Sequence, residues 1–227
     1  MRRLTICTTA VFVSALAMRM PLSAEPPQAA APQRIDLAER FAARTLRAVN
    51  RDVTALPGTP GAVQVDEKAG NGVIWVEGSD FAQGTIEVDV RGRDVPQRSF
   101  VGIAFHRKDD SAYDGVYLRP FNFRAQDPAR RQNAVQYIAV PEYDWPRLRQ
   151  EFPSEFENPV DASVAPTEWV PLRVVVKDRT VQVFVGAATS PTLEVRKLGS
   201  HDRGQVGLWA GNGSDGAYKN LRITPMK

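Results

Sequence analysis

The sequence predicts an all-β fold, a sandwich or jelly roll of two antiparallel sheets. Two observations carry this. From about residue 60 onward the apolar residues recur with period two, in short runs rich in Val, Ile, Phe, Tyr and Trp. Gly, Pro, Asp or Asn bound those runs, and there is almost no helical patterning. A chain of 227 residues is long enough for one sizeable core.

In chain order, the first element is a leader. Met1-Arg2-Arg3 is basic, Leu4 to Ala17 is mostly apolar, and Leu22-Ser23-Ala24 offers a small-residue cleavage site. That layout is a secretory signal peptide over residues 1–24, too short and wrongly flanked for a permanent membrane span. Residues 25–33, EPPQAAAPQ, form a disordered spacer, and a single jelly-roll β-sandwich domain is expected over 34–227. Export to a bacterial periplasm or to the medium is the localisation this predicts.

Removing the leader changes the charge. Arg2, Arg3 and Arg19 leave with it, so 26 Lys and Arg face 26 Asp and Glu instead of the formal +3 of the whole chain. A neutral mature chain does not support nucleic-acid or membrane-surface binding. Cys7, the only cysteine, is also in the leader, which leaves neither disulfides nor a thiol nucleophile.

The segment DLAERFAARTLRAVN has two readings. Asp36 and Glu39 make a capping box, and Leu37, Phe41 and Leu46 a partial stripe, which describe a short helix. A strand at Arg34–Leu37 followed by irregular chain competes with it. Eleven strands follow: AVQV, GVIWVE, GTIEVDVRG, SFVGIAFHR, DGVYLRP, AVQYIAV, WVPLRVVVKD, TVQVFVG, TLEVRK, QVGLWAG and AYKNLRIT. Lys177-Asp178-Arg179-Thr180 is a hairpin turn.

Alternation assigns faces, because neighbouring side chains on a strand point to opposite sides. Ile86, Val88 and Val90 share one face, with Glu87 and Asp89 on the other. Val101, Ile103 and Phe105 face the core, leaving Gly102, Ala104 and His106 opposite. Val206 and Leu208 oppose Gln205, Gly207 and Trp209. Small residues beside carboxylates, an imidazole and an indole leave room for a flat ligand such as a sugar. Close backbone packing is the alternative reading of the same glycines.

The closing segment GQVGLWAGNGSDGAYKNLRIT resembles the last strand pair of the concanavalin A-like jelly rolls, especially the 3-keto-disaccharide hydrolase domains, formerly a domain of unknown function. The matching positions are Gly204, Val206, Gly207 and Leu208, then Tyr218, Asn220, Leu221 and Ile223. FAQGTIEVDV and WVPLRVVVKDRTVQVFVG resemble the family's early strand and its Trp-led hairpin, so the likeness spans roughly residues 60–227. It implies the fold and a carbohydrate or glycoside ligand. The same architecture serves lectins and family 16-type glucanases, so it does not select an activity. Those glucanases carry Glu-x-Asp-x-x-Glu on one strand. Here Glu87-Val88-Asp89 is followed by Val90, Arg91 and Gly92, and that constellation is not carried over.

Two loops hold the remaining candidates. YLRPFNFRAQDPARRQNAVQY reads as a strand end, a proline-stopped loop with a type I turn at Asp127-Pro128-Ala129-Arg130, and the next strand. Arg119 and Asn122 at the strand terminus, with Gln136, are expected to touch a ligand; an ion-paired loop, with Arg130 or Arg131 on Asp127, is the other reading. In PEYDWPRLRQEF, Tyr143 and Trp145 suit stacking on a sugar ring, and Arg147 to Phe152 is one or two helical turns. Trp209 and His106 complete the expected ligand-binding set.

Three functions follow: a non-catalytic carbohydrate-binding domain, a glycoside hydrolase or lyase using Glu87, Asp89 or Glu142, or a structural or adhesive domain. No cofactor is expected. His106 and His201 lack metal-ligand spacing; calcium held by loop oxygens such as those of Asp109, Asp110 and Asp114, as in the related lectin and laminin-G domains, is the alternative, without EF-hand spacing to support it.

Overall fold

The computed structural model describes residues 31–226, and the expected leader and all but the end of the spacer lie outside them. The strands are β1 (Gln33–Ile35), β2 (Leu46–Val49), β3 (Val53–Ala55), β4 (Val63–Lys68), β5 (Gly72–Val76), β6 (Gly84–Arg91), β7 (Val101–Phe105), β8 (Tyr113–Leu118), β9 (Val135–Val140), β10 (Glu157–Asn158), β11 (Val170–Lys177), β12 (Thr180–Val185), β13 (Leu193–Arg196), β14 (Gly207–Ala210) and β15 (Ser214–Pro225). Three short helices, α1 (Leu37–Ala42), α2 (Pro128–Gln132) and α3 (Trp145–Glu151), and a 3₁₀ turn at Pro120–Asn122 sit in the connections.

The strands form two antiparallel sheets. One runs β13-β12-β11-β6-β15-β4-β3, with β1 also on β15; the other runs β10-β9-β8-β7-β14-β5-β2. The predicted sandwich is therefore the observed fold. In β6 burial alternates residue by residue: Ile86, Val88 and Val90 face the core, and Glu87 and Asp89 point outward and stay half-buried. By contrast β5, β7, β8 and β14 are buried at every position, so the outer face of the second sheet is covered along these strands as well as the inner one. That covered face is where the cleft lies.

The N-terminal segment divides between its two readings. Asp36 caps α1 by accepting from the Glu39 amide at 2.9 Å. The helix stops at Ala42, Arg44 takes a left-handed φ of 56°, and Leu46–Val49 pairs with β5 instead. A sheet edge satisfies the backbone of that segment, and the intrinsic helix preference of its residues gives way. The Asp-Pro turn also extends further than expected. Asp127 caps α2 from its Oδ1 and Pro128 opens the helix, so the chain turns helical through Gln132. Similarly, α3 starts at Trp145, capped by Asp144, two residues before the expected start. The β11–β12 hairpin matches expectation, with Lys177 opposite Thr180 and Asp178 at positive φ.

The closing motif's Asn220 has a structural use. It adopts φ 57° where the register of β15 shifts against β6, and its side chain donates to Asp89 at 2.7 Å. Asparagine tolerates that left-handed conformation better than most residues.

Candidate functional site

Alternation in β7, β8, β9 and β14 puts Gly102, Tyr117, Gln136 and Trp209 side by side on the outer face of the second sheet, through the pairs Trp209–Gly102, Gly102–Tyr117 and Tyr117–Gln136. Tyr117 and Trp209 stack with centroids 4.6 Å apart, and the Trp209 indole donates to the Tyr113 hydroxyl at 3.1 Å. Trp75 meets Tyr113 edge-on at 5.5 Å. These four rings form a continuous aromatic layer, and its Tyr117 and Trp209 line a cleft of about 310 Å³ together with Phe100, Arg119, Asn122, Asp144 and Trp145.

Arg119 follows β8 directly, and Pro120 turns the chain into the 3₁₀ segment that brings Asn122 beside it. Arg119 is 4 % exposed. Its guanidinium donates to the Tyr117 hydroxyl at 2.7 Å, to Gln136 Oε1 at 2.5 Å and to the Asn133 carbonyl at 2.9 Å, and lies over the Tyr117 ring at 4.8 Å. Burial pulls the guanidinium below its ordinary value, against the opposing pull of Tyr117 and Glu157, and pushes the Tyr117 hydroxyl up to about 12. Gln136 Oε1 also accepts from Tyr117 at 3.1 Å, which leaves its buried Nε2 without a partner among the described residues. Asn122 donates to the Asn133 carbonyl at 3.3 Å, and its Oδ1 is buried without a partner among the described residues. Such an oxygen costs roughly 1–3 kcal/mol until a donor meets it.

The opposite wall is α3. Trp145 stands at its first turn, 44 % exposed, with the Arg149 guanidinium 5.1 Å from its ring. Arg149 grips Glu157 in a forked contact of 2.9–3.1 Å, and Glu157 is 4.0 Å from Arg119. Asp144, whose Oδ1 accepts the Trp145 amide at 2.8 Å, is the one carboxylate among the cleft-lining residues.

Of the ligand-contact residues expected from sequence, the structure brings together Arg119, Asn122, Trp145 and Trp209 as cleft lining, with Gln136 bonded to Arg119 beside them. It does not bring the others there. Tyr143 pairs through its backbone with Ala139 and lies under Arg147 at 4.6 Å, lining a separate hollow together with Glu142 and His201. Glu142 is exposed, and its carbonyl accepts from Arg147. Glu87 and Asp89 are on the other sheet, where Glu87 faces Arg222 at 3.4 Å.

His106 corrects the face assignment. The residue takes φ 53° at the end of β7, so its ring turns off the Gly102–Ala104 face and stacks on Phe81 at 5.7 Å. It is 1 % exposed, with Nδ1 at 2.9 Å from Asp114 Oδ2 and Nε2 at 2.8 Å from the Ala82 carbonyl. One surface shared by Glu87, His106 and Trp209 is not formed, because β6 belongs to one sheet and β7 and β14 to the other.

The small residues are likewise explained by packing. A Cβ on Gly102 would overlap the Val116 carbonyl oxygen, and one on Gly207 would come within 2.5 Å of Val73 and 2.7 Å of Trp75. They make room for neighbouring strands and rings rather than for a ligand. The expected pairing of Asp127 with Arg130 or Arg131 is absent among the described residues, since Asp127 caps α2. Tyr117, Arg149 and Glu157 escaped the sequence reading. Tyr117 carried a signal, its place two residues before Arg119 on a strand, whereas nothing local links Glu157 to Arg119.

Among the described residues no three His, Cys, Asp or Glu side chains group as metal ligands. Asp109 accepts from Ser111, Asp110 pairs with Arg47 and Arg107, and Asp114 with His106 and Tyr137.

No protein-family model matches the chain, and no curated protein matches it in sequence. Solved structures do. A carbohydrate-binding module, CBM66, from Bacillus subtilis superposes with a TM-score of 0.56 at 13% identity, covering 79% of this chain and 95% of that one. A protein of unknown function with a galectin-like fold, from the same organism, gives 0.58 at 12% identity over 88% of this chain and 98% of that one. The κ-carrageenase of Pseudoalteromonas carrageenovora, in complex with an oligotetrasaccharide of κ-carrageenan, gives 0.55 at 13% identity over 93% and 100%. The fold is thus a jelly-roll β-sandwich shared with these structures. The resemblance of the closing strands to the 3-keto-disaccharide hydrolase domains is not matched by any of these comparisons.

Proposed function

We propose that this chain is a non-catalytic carbohydrate-binding jelly roll whose ligand lies in the cleft between the Tyr117–Trp209 floor and Trp145. One observation carries the reading: an exposed indole and a buried aromatic pair line one cleft with Asn122, whose buried Oδ1 has no partner among the described residues. Flat apolar rings match the C–H faces of a sugar, and amides and guanidinium groups match its hydroxyls. The carbohydrate-binding neighbours support a sugar as the ligand class. The basic and apolar N-terminal segment supports an exported protein that meets its ligand outside the cytoplasm.

Glycoside hydrolysis needs two positioned carboxylates flanking the scissile bond, and the cleft lining holds Asp144 alone. Glu157 is committed to Arg149, and Glu87 and Asp89 lie on the far sheet. This favours binding over turnover. Trp145 and Trp209 make intrinsic fluorescence a direct reporter. Oligosaccharides that bind in the cleft are expected to shift or quench it saturably, without release of reducing ends. Turnover abolished by Asp144→Asn overturns the non-catalytic reading, and absence of binding across a broad glycan array overturns the site.

A further inference from the structure

If the cleft is a saccharide site, its charges specify which saccharides enter. Three arginines, Arg119, Arg130 and Arg149, line it with Asp144 as the one carboxylate. Glu157 beside it adds a second negative charge, taken by Arg149 in a fork of 2.9–3.1 Å and 4.0 Å from Arg119. Arg119 directs its guanidinium hydrogen bonds to the neutral oxygens of Tyr117, Gln136 and Asn133. Asp144 is engaged by the Trp145 amide. Three cations therefore face two anions, in a chain whose 26 Lys and Arg balance 26 Asp and Glu overall beyond residue 24.

The surplus cation is identifiable. Among the described residues the Arg130 side chain makes no ion pair, and its one hydrogen bond is a long contact of 3.5 Å to the Phe121 carbonyl. Asp127, the nearest acid in sequence, is occupied as the cap of α2. Arg130 is exposed, while the side chains deeper in the cleft are buried, so an incoming group meets it at the mouth and Asn122 further in. A guanidinium fork pairs best with two oxygens of a carboxylate or sulfate, and a neutral hydroxyl leaves its charge uncompensated.

We infer that the cleft selects acidic saccharides, those bearing a carboxylate or a sulfate ester, and that Arg130 is the residue that discriminates them from neutral ones. The buried Asn122 Oδ1 then accepts a hydroxyl hydrogen of the same ligand, which separates recognition of the sugar from recognition of its charge.

The test is an array of neutral, uronic-acid and sulfated oligosaccharides probed with the chain lacking residues 1–24, at low salt and at about 1 M NaCl, where the screening length shrinks to about 3 Å. Acidic glycans are expected to bind about tenfold more tightly than neutral ones of the same length at low salt, and that margin should fall in high salt. The carboxylate and sulfate arms show which anion is preferred. Arg130→Gln should remove the margin by weakening acidic glycans about tenfold more than neutral ones, and Arg130→Lys should restore part of it. An unchanged melting temperature confirms that both variants fold. Equal binding of neutral and acidic glycans by the wild type, or a margin that survives Arg130→Gln, overturns the inference and leaves the saccharide site standing. Absence of all binding removes both.

Discussion

Lys197 gives the sharpest test of how the structure is held together. Its ammonium is 1 % exposed and donates to the Gly199 carbonyl at 2.7 Å, the His201 carbonyl at 2.6 Å and Asp202 Oδ1 at 2.7 Å. It also lies 3.7 Å from Asp114 Oδ2, in a carboxylate that His106 contacts at 2.9 Å and Tyr137 at 2.5 Å. Lys197→Met keeps most of the stem volume and removes all three donors with the charge. Asp202 is 73 % exposed and can turn to water, so its share is small. Two carbonyls lose their donor at roughly 1–3 kcal/mol each, and stripping one partner from a buried charge pair costs about 3–5 kcal/mol. These costs overlap, and the expected loss is about 3–5 kcal/mol out of a stability of about 5–15 kcal/mol. At about 2–4 °C per kcal/mol for a chain of this size, the melting temperature should fall by roughly 6–20 °C. Urea unfolding followed by circular dichroism measures the change, with exposed Lys177→Met on β11 as a control expected to stay within about 0.5 kcal/mol. A Lys197→Met loss below about 1 kcal/mol refutes the reasoning, since it means the buried network is not satisfied in the way described.

Three further outcomes are expected. Trp145→Ala should leave stability nearly unchanged, because the ring is 44 % exposed, and weaken saccharide binding by about tenfold, or about 1.4 kcal/mol, in a fluorescence titration. Gly102→Ala should destabilise by about 1–3 kcal/mol in urea unfolding, because its Cβ has to displace the Val116 carbonyl from the β7–β8 pairing; a neutral result would mean that the small residues are spaced for a ligand after all. Stability should also fall in acid. A hydrogen bond from Arg203 holds Asp80 below its ordinary 3.8, one from Lys197 does the same for Asp202, and one from Arg93 holds Glu67 below 4.5. Carboxyls depressed in the folded state contribute fully above their unfolded values, here above about pH 5, and lose that contribution as the pH drops through their folded values. A flat unfolding midpoint from about pH 5 to pH 3 contradicts this.

The strands and turns were legible because they are local. Ile86, Val88 and Val90 alternate with Glu87 and Asp89 in sequence as they do in β6, and the Asp178 turn joins adjacent strands. Caps were legible in kind and misjudged in extent: Asp127-Pro128 suits a turn and a helix start equally well, and only the following Arg130–Gln132 backbone distinguishes them. Part of the cleft was legible too. Arg119 and Asn122 were found from a strand terminus, and Trp145 from a proline-bounded aromatic loop. His106 was misplaced because one left-handed residue ends the alternation of β7, and a period-two pattern carries no mark of where it stops.

By itself, then, the sequence determined that the chain is a β-sandwich, where most of its strands run and which side chains of each strand share a face. Those are relations between neighbours along the chain, set by the pleat. Tertiary structure decided which strands lie together. It set β6 in one sheet and placed β14 between β5 and β7 in the other, which separated Glu87 and Asp89 from Trp209 and joined Tyr117 to Trp209. It also carried Glu157 to Arg149 and buried Lys197 beneath Asp114. The physical reason is that pairing and burial depend on contacts between residues far apart in the chain, where the hydrophobic pattern says that a strand needs partners but not which partners it takes.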